Sequence, residues 1–160
     1  MVSSAVAVPP QVSLKHKLVP FNWEMRVEGH ETGGRWDYAV FGEKPDASDG
    51  VDRYDAPKCP SPPNGYVRMY LFHPGLQYPF EYLWYEYRQS PKTHDSFTLV
   101  VWWVPQSGNN PTDITISWEQ TGITEYRYIM INEVNMLKSE SFIFTCEAFI
   151  PTVFEIICHR

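Results

Sequence analysis

In the stretch FNWEMRVEG, residues 21–29, Trp23, Met25 and Val27 fall on one side of an extended chain and Glu24, Arg26 and Glu28 on the other. Side chains of a pleated strand alternate faces with period two, so this pattern suits a strand with one buried face and one wet face. DITISW repeats the arrangement, with Ile114, Ile116 and Trp118 opposed to Asp113, Thr115 and Ser117. Seven more runs rich in β-branched and aromatic residues lie at 35–42, 66–73, 80–88, 96–104, 124–131, 141–149 and 152–159. Turn-forming stretches separate them, among them GHETGG, SPPNG, HPGLQYP and PQSGNNPTD. No segment carries a convincing helical stripe. Nine strands at this spacing predict an all-β chain, an antiparallel β-sandwich of Ig-like or jelly-roll-like type. Residues 20–160 form its single domain, preceded by an N-terminal arm, residues 1–19.

The run FTLVVWWV is apolar on both faces, with Phe97, Leu99, Val101 and Trp103 opposed to Val100, Trp102 and Val104. It predicts a central strand covered on both sides, by a loop of its own chain or by a neighbouring subunit or domain. The arm brings Ala5, Val6, Val8, Val12, Leu14 and Leu18 around Pro9-Pro10. It is either a loose tail or a β-prone segment able to add a strand to the sheet edge of another copy.

A formal net charge of -6, without any cluster of Lys and Arg, argues against nucleic acid as a partner, because phosphate contacts need such clusters. No apolar run of about 18 residues is present to span a bilayer as a helix. MVSSAVAVPP lacks the basic start and long apolar stretch of a secretory signal, which leaves the compartment open. Cys59, Cys146 and Cys158 fit neither a CxxC metal pattern nor a dense disulfide scaffold; they are expected as reduced thiols, two of them buried, the alternative being one bridge, Cys146 to Cys158, and a leftover thiol.

The segment PDASDGVDRYDAPKCPSPP, residues 45–63, sets Asp46, Asp49, Asp52 and Asp55 at a strict spacing of three. An EF-hand needs oxygen ligands at alternate positions and a distant Glu, so this is not one. The four carboxylates are nonetheless candidate ligands of a hard cation such as calcium. A competing reading has the aspartates accepting backbone N–H bonds in turns, with Asp52 or Asp55 pairing with Arg88 or Arg68 to brace the loop. A third, glycoside hydrolysis, needs two carboxyls roughly 5 to 10 Å apart across a cleft. The proline run that follows lacks donor N–H groups and predicts an extended crossover.

Nucleophilic chemistry has little support. His94, Asp95 and Ser96 are consecutive and cannot face one another as a triad, no G-x-S-x-G elbow occurs, and the five histidines form no zinc pair. The chain is therefore read as non-enzymatic. Aromatic residues reach 16%, and rings exposed on one sheet face stack on sugars. Trp36, Tyr82, Trp84, Tyr87 and Trp102 are the candidate ligand or interface residues, with Tyr38 and Tyr78 beside them.

The order of features from about residue 21 to 160 resembles a β-sandwich module of secreted and cell-surface proteins of bacteria and archaea. The resemblance rests on a loop of the form A-x-DG-x-D-x-x-D-x-P, here Ala47, Asp49, Gly50, Asp52, Asp55 and Pro57, then on YVRMYLFHP, on YEYR, on ITISW and on INEVNMLKSESFIFTC. It implies a non-catalytic structural or interaction module, extracellular or at the cell surface, whose partners are other copies or neighbouring domains. A structural or interaction role is the expected function, with self-assembly through strand addition by the arm as one form of it. Carbohydrate binding by exposed Trp and Tyr is the alternative, and a carboxylate-dependent glycosidase the second alternative.

Overall fold

The computed structural model describes residues 22–160. The arm, residues 1–19, lies outside the described residues. The described chain is all-β, without a helix, and runs β1 (Trp23–Glu31), β2 (Trp36–Lys44), β3 (Ala56–Pro57), β4 (Tyr66–Phe72), β5 (Tyr82–Gln89), β6 (His94–Val104), β7 (Thr112–Gly122), β8 (Tyr128–Ile131), β9 (Val134–Asn135), β10 (Ser141–Cys146) and β11 (Thr152–His159). The nine runs read from alternation are the nine longer strands. The two additional strands have two residues each and carry no periodicity to read.

The architecture differs from the expected sandwich. One mixed sheet holds all eleven strands, in the order β10-β7-β1-β2-β5-β4-β6-β11-β8-β9, with β3 on β5. Every pairing is antiparallel except β2 with β5, which is parallel. The sheet curls until it is nearly a barrel. The curl brings Phe142 and Phe144 of β10, the strand at one end, onto Phe154 of β11, third from the other end, at ring-centroid distances of 5.5 and 4.9 Å. Trp118 of β7 closes the same seam by donating its indole N–H to the carbonyls of Met136 and Ser139, at 2.9 and 2.8 Å. Strong twist and coiling let one continuous sheet enclose a core that two flat layers would otherwise have to share.

That core holds the inward sets predicted by alternation: Trp23, Met25 and Val27, Ile114 and Ile116, and Phe97, Leu99, Val101 and Trp103. Burial of such side chains stabilises the fold by about 25 cal/mol per Å² of apolar surface removed from water. The second face of β6 is covered too, since Val100 and Val104 are buried and Trp102 half-buried while β4 and β11 flank the strand. The close approach of β1 to β2 depends on Gly42, where an added Cβ would run into the carbonyl of Trp23. The β1–β2 turn is held by the buried Glu31 carboxylate, which accepts the N–H groups of Gly33 at 2.6 Å and Arg35 at 3.1 Å.

One junction, at β5, positions the candidate site. On a single edge of β5, β4 pairs with Tyr82 and Leu83, and β2 takes over from Tyr85 to Gln89. Tyr85 and Leu83 meet β3 on the opposite edge, with Trp84 left as an extra residue between them. This is a β-bulge, and a bulge re-aims side chains. Leu83 and Glu86 are buried inward, while Trp84, Tyr85 and Tyr87 pack with aromatic rings on the outer face. Because β2 and β4 share an edge in succession, they diverge beyond it and leave a fork.

Candidate functional site: an aromatic cleft at the fork

β4 pairs with β6 on one edge, but at the fork its other edge has no strand beside it among the described residues, and a side chain takes that place: Asp37 Oδ2 accepts the N–H of Met69 at 2.7 Å. The other oxygen of Asp37 accepts Lys58 Nζ at 2.6 Å, and Lys58 also donates to the carbonyl of Tyr38 at 2.9 Å. Lys58 comes from the proline-rich crossover, whose β3 segment and Lys58 N–H are anchored on β5, the latter through Tyr82 O at 2.8 Å. Its ammonium passes 5.0 Å from the Trp84 ring and 5.5 Å from Tyr38. Burial pushes the Lys58 ammonium below its usual range, and the bond to Asp37 works in the opposite direction. The pair thus fastens the crossover to the fork and cancels its own charge.

Between the diverging strands and the crossover opens a cleft of about 280 Å³, lined by Trp36 and Asp37 of β2, Tyr66, Val67 and Arg68 of β4, Trp84 of β5, and Lys58, Cys59, Pro60 and Pro62. Trp36 is 51% exposed and stacks on His30 at 5.8 Å and on Tyr38 at 6.0 Å, so its orientation is set by its neighbours while half its surface stays open. Trp84 is half-buried against Tyr38, and its indole N–H has no acceptor among the described residues. Arg68 donates Nη1–H to the carbonyl of Cys59 at 2.7 Å, which stiffens the proline run. Cys59 is an exposed free thiol, whereas Cys146 and Cys158 are free and buried.

Of the aromatic residues singled out in the sequence, Trp36 and Trp84 share this cleft. Tyr82 lines a second hollow of about 360 Å³ on the other side of the crossover, with Tyr78 and Pro79. Tyr87 is buried with Val40 and Ala47 and donates its hydroxyl to Glu24 at 2.6 Å. Trp102 is half-buried, cross-strand from Arg68, and lines neither hollow. Sequence reasoning missed Asp37, Lys58 and Tyr66, and named Arg68 only as a partner for the Asp loop. The outward alternation of Tyr66, Arg68 and Tyr70 was a legible signal, but the Lys58–Asp37 pair spans 21 residues and had none.

The four loop aspartates are each taken up by protein donors. Asp46 binds Arg53 and the hydroxyl of Tyr54, and these hold its carboxyl below the usual range. Asp49 meets Lys92 at 2.6 Å and the N–H of Gln89; burial opposes its ionisation, and these partners outweigh it. Asp52 caps the loop from within, accepting the N–H groups of Ser48 at 2.6 Å and Tyr54 at 2.7 Å. Asp55 accepts those of Asp52 and Tyr87, and burial pushes its carboxyl up. The backbone bonds in turns match one sequence reading, while the expected arginine partners differ: Arg88 binds Glu86 and Asp95, and Arg68 the Cys59 carbonyl. Among the described residues no three His, Cys, Asp or Glu side chains converge as a metal group. A calcium ion here would compete with Lys92 and Arg53 for Asp49 and Asp46. None of the four aspartates lines either hollow.

Fold and site together define an all-β domain with an aromatic, cation-bordered cleft on its outer face. Comparison with known protein families, with curated proteins and with solved structures gave no match.

Proposed function

We propose that the chain is a non-catalytic binding module that holds a glycan in the cleft at the fork of β2 and β4. The observation that carries this reading is the open indole of Trp36, held in a fixed stack at the mouth of a cleft that also presents Trp84, Tyr66 and polar groups. Sugar rings present apolar C–H faces to aromatic rings and hydroxyls to nearby donors, and such sites combine aromatic walls with a few oriented polar groups. The Asp loop acts as a brace, tying the crossover to β5 and to Lys92. An extracellular or cell-surface location and membership of the module described above belong to this reading through the resemblance.

Titration with soluble oligosaccharides tests it, read by tryptophan fluorescence and by alkylation of Cys59, which a ligand in the cleft shields. Trp36→Ala is expected to weaken binding about tenfold, the effect of one lost stacking contact. A glycan panel that neither changes fluorescence nor slows alkylation would sink the proposal.

A second reading is self-assembly by strand addition. Its support is the edge strand β10, paired only with β7 among the described strands, where Ile143 is 67% exposed. Unpaired edges template further strands. Removing residues 1–19 is then expected to shift an oligomer to monomer in size-exclusion chromatography. A monomer with or without the arm speaks against assembly.

A further inference from the structure

The two hollows have a common wall. Lys58, Cys59, Pro60 and Arg68 line both, with Trp36 and Trp84 beyond on one side and Tyr78 and Tyr82 on the other. Together they describe a groove crossed by the proline ridge, long enough for more than one ring. Lys58 carries no net charge into it because Asp37 neutralises it at 2.6 Å. Arg68 is different: among the described residues no carboxylate lies within ion-pair distance of it. The chain has 19 Asp and Glu against 13 Lys and Arg, yet this arginine, on the wall shared by both hollows, has no acid beside it. Its charge also reaches Lys58, whose ammonium it helps to push down. The bond from Nη1 to the Cys59 carbonyl fixes the guanidinium, which has five N–H donors and keeps the others for a ligand.

We infer that the glycan bound here is acidic: an oligosaccharide whose rings occupy the two aromatic hollows while a uronate carboxylate sits on Arg68. A planar guanidinium matches a carboxylate by paired hydrogen bonds, and a neutral sugar would leave the arginine uncompensated. This rests on the glycan reading of the cleft and adds the charge and the length of the ligand.

The test compares four probes, trigalacturonic acid, its methyl ester, the neutral trisaccharide of galactose and a sulfated form of that trisaccharide, by tryptophan fluorescence and Cys59 alkylation. The acid is expected to bind about tenfold to a hundredfold more tightly than the ester, the range for one charged hydrogen-bonded contact. Arg68→Gln should remove that preference, and Arg68→Lys should recover part of it, with thermal melts confirming that both variants fold. Equal affinity for acid and ester, both lost in Trp36→Ala, would overturn the acidic ligand and leave the glycan site standing. Tighter binding of a sulfated trisaccharide than of the uronate would overturn the carboxylate assignment. No binding of any probe, with unslowed alkylation, would refute the inference together with the reading beneath it.

Discussion

Replacing Arg88 by methionine is expected to destabilise the protein by about 3–5 kcal/mol, the cost of leaving buried charges without their partner. Arg88 is inside the curled sheet, with its guanidinium 4.4 Å from the Phe97 ring. It donates to Glu86 Oε1 through Nε at 2.9 Å and Nη2 at 2.7 Å, and to Asp95 Oδ1 through Nη1 at 2.6 Å. Glu86 is 2% exposed and Asp95 6%. Methionine fills similar space but strands two carboxylates, leaving His73 beside Glu86 at 2.9 Å, and Lys92 at 3.3 Å and the Ser96 N–H at 2.9 Å beside Asp95. Chemical denaturation should show the loss as a lower midpoint. Adding Glu86→Gln and Asp95→Asn should restore most of it, because a neutral buried cluster carries no unpaired charge. A loss below about 1 kcal/mol in the single variant would mean that water reaches these groups and that the network is not a buried one.

Truncating Trp23 to alanine is expected to cost about 3–5 kcal/mol as well, by opening a cavity under the start of β1. Its ring is 1% exposed and packs edge-on against Phe41 and Tyr126, at 5.9 and 5.7 Å. It also donates its indole N–H to the Glu43 carboxylate at 3.2 Å, beside Tyr126 and Arg160. Trp23→Phe separates the two contributions. It keeps most of the packing and removes the donor, for a loss of about 1–3 kcal/mol. Burial raises the Glu43 carboxyl above its ordinary value, with Tyr126 and Trp23 opposing that rise. A group whose folded pKa is raised contributes stability below its unfolded pKa and loses it as pH rises through the folded value. The deficit of Trp23→Phe should therefore be larger at neutral pH, where Glu43 needs the donor as an anion, and shrink as pH falls and Glu43 takes up a proton. Urea melts across that range check the sign, and a deficit that grows on acidification would contradict it.

How legible was the site? Trp36 and Trp84 stood out as outward rings on strands, and both line the cleft. Tyr87 was singled out with them, and the bulge at Trp84 brings it to the same outer face, yet there it packs with Val40 and Ala47 and is buried. The Asp loop was visible as a spacing of three, and its turn bonds to Ser48 and Tyr54 are local enough to anticipate. Its anchors were not: the Tyr87 N–H and Lys92 lie 32 and 43 residues from the carboxylates they meet.

What the residues alone determined was the nine longer strands and the inward faces of those that alternate cleanly, such as β1, β6 and β7, since alternation acts through the pleat of a single chain segment and needs no partner. Only the tertiary structure decided that the strands make one curled sheet, that β2 and β4 share an edge of β5, and that the gap between them becomes a cleft. Those outcomes depend on hydrogen bonds between distant backbones and on one bulge, and neither leaves a period in the sequence.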